Sequence, residues 1–208
     1  LGRLPLPRPV IDRDLGVPLR DPVLLVTHHP VTLREGDEGS AVNEMLAALE
    51  RFPKARVVIT GVNADPGREA IARRLGDYAA HRPDRVTIHV SLGQRRYLSV
   101  MCRAAAVIGN SSSGVIEAPA LGVPTVNIGA RQQGRLKARS VIDCGENTAA
   151  IATAIARALD PAFRATIAGQ TLPYGGGGTA GRIVAILKSI DPAELRRKRF
   201  HDLPGFAA

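Results

Sequence analysis

Residues 105–117 read Ala105-Ala106-Val107-Ile108-Gly109-Asn110-Ser111-Ser112-Ser113-Gly114-Val115-Ile116-Glu117. A short apolar run that ends on a turn signal is a buried strand. From Val115 to Leu121 the apolar residues recur at near-helical spacing, with Pro119 an internal obstacle that keeps the helix short. A helix that starts at a strand end turns its unsatisfied N–H groups into the crevice there. Three successive serines add hydroxyl donors, and the flanking glycines let a ligand approach the backbone. Donors, the positive end of a helix dipole and little bulk are what a phosphate requires. Glu117, in the first turns of the helix, is a candidate acceptor for sugar hydroxyls. The same residues also make a plain turn with a helix cap, and the motif by itself does not choose.

Strand-then-helix units repeat on both sides of this stretch. Val23 to Thr27 is an all-apolar run ending in Thr, as in a buried parallel strand, and it leads into His28-His29-Pro30-Val31-Thr32. Adjacent histidines on an extended segment do not easily face one metal, so a phosphate-facing or proton-transferring role for one of them is the functional alternative to a solvated loop. A polar loop, Glu35 to Ser40, precedes a helix marked by Val42, Met45, Leu46 and Leu49, with Ser40 as its expected cap. Arg56 to Gly61 is the next strand. Asn63 and Asp65 follow it, and Asp65-Pro66 predicts a helix start whose face is Ile71, Leu75 and Tyr78. Val86 to Val90 is a third strand, and Tyr97, Leu98, Met101 and Cys102 form one helix face. Beyond the serine turn come a short strand from Val123 to Gly129 and the basic, amide-rich loop Ala130 to Arg135. A last strand holds Val141 and Ile142, and a helix face holds Ile151, Ile155 and Leu159. Asp160-Pro161 starts a short helix. Tyr174-Gly175-Gly176-Gly177-Gly178-Thr179 is a second glycine-rich turn, either a second anion site or a flexible connection, before a helix with Ile183, Val184, Ile186, Leu187 and Ile190.

Alternating strands and helices predict an α/β fold, a single doubly wound Rossmann-like domain with a parallel sheet. Residues 1–22, rich in proline and charge, read as an extended linker without a core; residues 23–190 form the domain, and 191–208 a surface tail. No Gly-x-Gly-x-x-Gly follows the first strand and there is no Walker lysine, which disfavours a simple dinucleotide or triphosphate domain. Candidate ligand groups fall at five strand ends, His29, Asn63, His89, Ser111 and Arg131. Convergence on the carboxyl edge of one sheet is where open α/β sheets bind ligands. Arg131 is suited to a bidentate phosphate contact.

Composition bounds the partners. The 208 residues carry 28 Lys+Arg against 19 Asp+Glu, a formal net charge of +9, so anionic partners are favoured. Aromatics are 3% and Trp is absent, which argues against the stacking surface of a single-strand nucleic-acid binder. The dense basic run Arg196-Arg197-Lys198-Arg199 reads as a solvated helix end. Cys102 and Cys144 lack metal-ligand spacing and suit buried thiols in a reducing, cytoplasmic setting. There is no signal peptide and no apolar run near the roughly 18 residues a membrane helix needs, so no membrane partner is expected. The chain begins at Leu1, as would a piece cut from a longer protein.

Gly109-Asn110-Ser111-Ser112-Ser113-Gly114 with Glu117, followed by Asn127-Ile128-Gly129-Ala130-Arg131-Gln132-Gln133-Gly134-Arg135, resembles the hydrolysing UDP-N-acetylglucosamine 2-epimerases. His29-Pro30-Val31-Thr32, Asn63 with Asp65, and Tyr174-Gly175 with Ala180 and Arg182-Ile183 are similar to that family in the same order. The resemblance implies one half of a glycosyltransferase B-type two-domain fold, the C-terminal half that binds UDP, with a missing N-terminal domain and, at full length, a homodimer. It implies UDP and a UDP-amino sugar as ligands and no cofactor or metal. Ser111 and Ser112 would hold the diphosphate, Glu117 the ribose hydroxyls, and Arg131 the phosphate region. His29 would steady the leaving UDP as the catalytic residue of this half, and Asn63, His89 and Val90 would border the nucleotide. Gly176 departs from the family's Asp after Tyr-Gly. The implied reaction eliminates UDP and then adds water with inversion at C2, giving N-acetylmannosamine for sialic-acid-type precursors; its acid and base carboxylates would lie on the other domain. The competing readings are a diacetamido-trideoxyhexose 2-epimerase, a sugar-nucleotide glycosyltransferase, a non-catalytic nucleotide-binding module and a nucleic-acid binder.

Overall fold

Successive side chains point to opposite faces of a strand, so each buried strand feeds two apolar cores. The computed structural model describes residues 5–31 and 38–196. Thr32, the loop before residue 38, and Arg197, Lys198 and Arg199 with the rest of the tail lie outside the described residues. Six strands form one parallel sheet in the order β3-β2-β1-β4-β5-β6. They are β1 (Val23–Thr27), β2 (Arg56–Thr60), β3 (Val86–His89), β4 (Ala106–Gly109), β5 (Thr125–Ile128) and β6 (Val141–Cys144). The doubly wound α/β expectation holds. The strand order reverses between β1 and β4, and in such sheets that switch point opens a crevice at the carboxyl edge.

Leu24, Val26, Val57, Ile59, Ile108, Val126 and Ile128 face one core, where α2 (Glu38–Glu50), α3 (Arg68–Ala80) and α6 (Thr148–Leu159) pack. Val23, Leu25, Val58 and Val107 face the other, against α4 (Gly93–Met101) and α5 (Ser113–Ala120). Each fully buried Leu, Ile or Met contributes roughly 1.5–3 kcal/mol, so the two cores fix where the strands end. Asn147 Oδ1 caps α6 by accepting from the Ala150 N–H at 2.9 Å, and Asp160 Oδ1 caps α7 (Pro161–Thr166) through the Ala162 N–H at 2.8 Å, the start that Asp160-Pro161 predicts.

Three local expectations change. The expected linker is not without a core: Arg8–Leu15 is a helix, α1, and Ile11, Leu15 and Leu19 are buried in the second core. Pro7 and Pro9 sit at its start, where a missing N–H costs nothing, and Gly16 at φ 71° ends it. The Leu6 N–H donates to Ser99 Oγ at 3.0 Å, which ties this segment to α4. Ser40 lies inside α2 rather than capping it. Asp65-Pro66 forms a turn, and α3 begins only at Arg68, with Gly67 left-handed at φ 85° before it.

The chain divides after Tyr174, and the helix expected after the glycine-rich turn, α8 (Thr179–Ser189), belongs to the second, smaller unit. Its Ile183, Val184, Ile186 and Leu187 are exposed. Cys102 and Cys144 are free, half-buried thiols, and burial pushes both up, Cys144 to about 11. Among the described residues no helix is long and apolar enough to cross a membrane.

Candidate functional site

The carboxyl ends of β1 and β4 lie side by side, Thr27 opposite Gly109. Gly109 has φ 133°, and a Cβ there would stand 2.0 Å from the Thr27 carbonyl oxygen, so only glycine lets the two strand ends approach. The next residue, Asn110, is fully buried and is the hub of the site. Its Oδ1 accepts from the His29 N–H at 2.7 Å, and its Nδ2 donates to the His29 carbonyl at 2.8 Å. The Asn110 carbonyl accepts from Arg131 Nη1 at 3.2 Å and Gln132 Nε2 at 2.8 Å. One asparagine therefore joins the loops after β1, β4 and β5.

His29 Nδ1 accepts from the Asn63 N–H at 3.2 Å, so the neutral ring carries its proton on Nε2. Burial holds the His29 pKa below its ordinary value; the Arg131 charge lowers it further and Asp65 works against both. A neutral imidazole with a donor Nε2–H beside a guanidinium suits an anionic group.

An open cleft of about 290 Å³ is lined by Thr27, His29, Thr60, Val90, Tyr97, Ser111 and Ser113, together with Gly61, Ser91, Leu92 and the first two residues of α4, Gly93 and Gln94. A file of hydroxyls runs along it. Thr27 Oγ1 lies 2.6 Å from Thr60 Oγ1 and 3.4 Å from the Tyr97 hydroxyl. Tyr97 lies 2.6 Å from Ser113 Oγ, which donates to Ser111 Oγ at 3.2 Å. The N–H groups of Ser111 and Ser112 donate to nothing among the described residues, and the Ser112 side chain does not cap α5. Ser111 Oγ instead accepts from the Ser113 N–H at 3.4 Å, at the start of α5.

Of the residues singled out by sequence, His29, Val90 and Ser111 line this cleft, and Val90 is 94% exposed. Asn63 and Arg131 adjoin it through His29 and Asn110. Ser112, at the N-cap of α5, and Glu117, exposed on that helix, lie outside the lining. His89 Nε2 is buried without a hydrogen-bond partner, and burial lowers the ring's pKa. Asn110 carries no assigned role in the sequence pattern, though it is the first polar residue after a buried strand. Tyr97 reads there as part of an apolar helix face, and its lone phenol is the available signal. Among the described residues no group of three or more His, Cys, Asp or Glu could hold a metal ion.

A six-stranded parallel sheet with a hydroxyl-bearing cleft at its switch point is a Rossmann-like α/β domain of the glycosyltransferase B kind. The chain belongs to the UDP-N-acetylglucosamine 2-epimerase family, whose model matches residues 8–188. It is 35% identical over 133 residues to the GDP/UDP-N,N'-diacetylbacillosamine 2-epimerase (hydrolyzing) of Campylobacter jejuni, a match covering 64% of this chain and 35% of that protein. It is 32% identical over 182 residues to the polysialic acid biosynthesis protein P7 of Escherichia coli, covering 86% and 46%. The crystal structure of UDP-GlcNAc 2-epimerase from Neisseria meningitidis bound to UDP-GlcNAc superposes with a TM-score of 0.66 at 21% identity, covering 88% of this chain and 49% of that one. The chain thus spans about half the length of these relatives, or less.

Proposed function

We propose that this chain is the UDP-binding half of a hydrolysing UDP-N-acetylglucosamine 2-epimerase, which converts UDP-N-acetylglucosamine and water to N-acetylmannosamine and UDP. The observation that carries this reading is the Asn110 clamp, which gathers His29, Arg131 and the serine turn at one sheet edge. In the reaction the C2 proton leaves and the C1–O bond to UDP breaks, giving a 2-acetamidoglucal. Water then delivers hydroxyl to C1 and a proton to the opposite face of C2. Ser111, Ser112 and the unspent amides of the turn hold the diphosphate. His29 donates its Nε2–H to a phosphate oxygen, so charge developing on the departing UDP is stabilised at bond cleavage. Arg131 adds its charge beside that phosphate, Glu117, exposed on α5 beyond the cleft lining, accepts from ribose hydroxyls that extend past the cleft, and Asn63, His89 and Val90 border the nucleotide.

Among the described residues the cleft lining contains no carboxylate. In this reading the acid and base for C2 lie on another domain, and this half binds UDP without turning the substrate over. A UDP-linked diacetamido-trideoxyhexose is the second substrate reading, favoured by the name of the Campylobacter jejuni relative. Calorimetric titration of the 208-residue chain with UDP, with sugar release assayed in parallel, tests the proposal. Binding without turnover is expected; absence of UDP binding, or free sugar produced by this chain alone, refutes it. The full-length enzyme offered both UDP-sugars in competition decides between the two substrates.

A further inference from the structure

The hydroxyl file along the cleft has a direction. Ser111 Oγ accepts twice, from the Ser113 N–H at 3.4 Å and from Ser113 Oγ at 3.2 Å. Its own proton is therefore not consumed inside the file. Ser113 has one hydroxyl proton and gives it to Ser111, so across the 2.6 Å contact it accepts from Tyr97. At the far end Thr27 and Thr60 share a 2.6 Å contact, and Thr27 Oγ1 lies 3.4 Å from the Tyr97 hydroxyl. Whichever threonine donates, the phenol spends its own proton on Ser113. The sense is Tyr97 to Ser113 to Ser111, which leaves the Ser111 proton for the cleft this residue lines.

A phenol is the most acidic hydroxyl in such a chain, and successive donors polarise one another. An outward O–H beside two unspent backbone N–H groups presents only positive edges. Those edges fit the oxygens of an anion. Resting on the UDP reading above, we propose that Tyr97 is a positioning residue for the phosphate of the nucleotide: through Ser113 it turns the Ser111 hydroxyl onto a phosphate oxygen. Phenylalanine at this position keeps the ring packing of α4 but leaves Ser113 and Ser111 free to reorient.

Calorimetric titration of the chain with UDP and with uridine tests this in wild type, Tyr97→Phe, Ser113→Ala and the double variant. Each single change should weaken UDP roughly five- to tenfold, less than the loss of a whole hydrogen bond to a charged group because the Ser111 hydroxyl is freed rather than removed, while uridine shifts by less than about twofold. The double variant should be no worse than either single one, because both break the same chain. Unchanged UDP affinity, or equal losses for UDP and uridine, overturns the inference and leaves the UDP reading standing. A wild-type chain that binds UDP no better than uridine removes the diphosphate reading itself, and the inference with it. Thermal melting confirms folding, and Ser113→Ala carries the test if Tyr97→Phe fails to fold.

Discussion

Asn110 and His29, 81 positions apart, exchange two hydrogen bonds: the His29 N–H donates to Asn110 Oδ1 at 2.7 Å, and Asn110 Nδ2 donates to the His29 carbonyl at 2.8 Å. The asparagine side chain acts as one more rung between β1 and β4 beyond the point where their backbone pairing ends. It holds the imidazole at the cleft, with its backbone satisfied in a buried place where water cannot substitute.

Asn110→Ala strips both bonds and leaves a buried N–H and C=O without partners. Each such group costs roughly 1–3 kcal/mol, so the variant should lose about 2–4 kcal/mol in chemical denaturation. A loss within experimental error would mean that the rung is dispensable.

Gly109→Ala meets two obstacles, a φ of 133° and a carbonyl oxygen 2.0 Å from the new Cβ. Its unfolding midpoint should drop by an amount equivalent to about 2–4 kcal/mol. Gly122→Ala, at φ 70° with open space around its Cβ, should cost clearly less. Equal costs for the two would contradict the close-approach argument.

Arg131→Gln should weaken UDP binding roughly tenfold, because a charge-assisted contact becomes a neutral one. It should also raise the His29 pKa, since the Arg131 charge helps to depress it. The value should stay below 6.5, because burial is the larger cause. Imidazole titration by NMR reads this directly, and a fall in the pKa would exclude the assigned proximity.

Stability should depend on pH through His29 and His89, both held below their ordinary 6.5, by burial first in each case. As pH drops below 6.5 the unfolded chain takes up protons that the folded chain does not. Their contribution is therefore complete above that value and declines beneath it, until the folded pKa values are reached. Melting temperature should fall between about pH 7 and about pH 5.5, and His29→Gln should flatten part of that slope. Identical slopes in the two proteins would rule His29 out as a contributor.

Much of the architecture was legible in the amino-acid order. Five-residue apolar runs such as Val23–Thr27 could only be buried strands, and the serine turn after Ile108 marked a strand-to-helix junction at the ligand edge. Such signals are local, since strand and helix periods are carried by neighbours within a few residues. The proline-rich start misled for a related reason. Its prolines advertise an extended chain, whereas Ile11 and Leu15, one helical turn apart, find a core only when α4 is folded beside them.

By itself the sequence determined the alternation of strands and helices, the parallel sheet and the family motifs around Ser111 and Arg131. Only the tertiary structure decided that Asn110 is the hub, that Tyr97 turns its hydroxyl toward the serines, and that Glu117 lies outside the cleft. Each of these depends on a hydrogen-bond partner or a burial supplied by another element, as far off as His29 is from Asn110. Residue spacing along a chain encodes which face a side chain occupies; what it meets there is fixed when the sheet brings distant strand ends together.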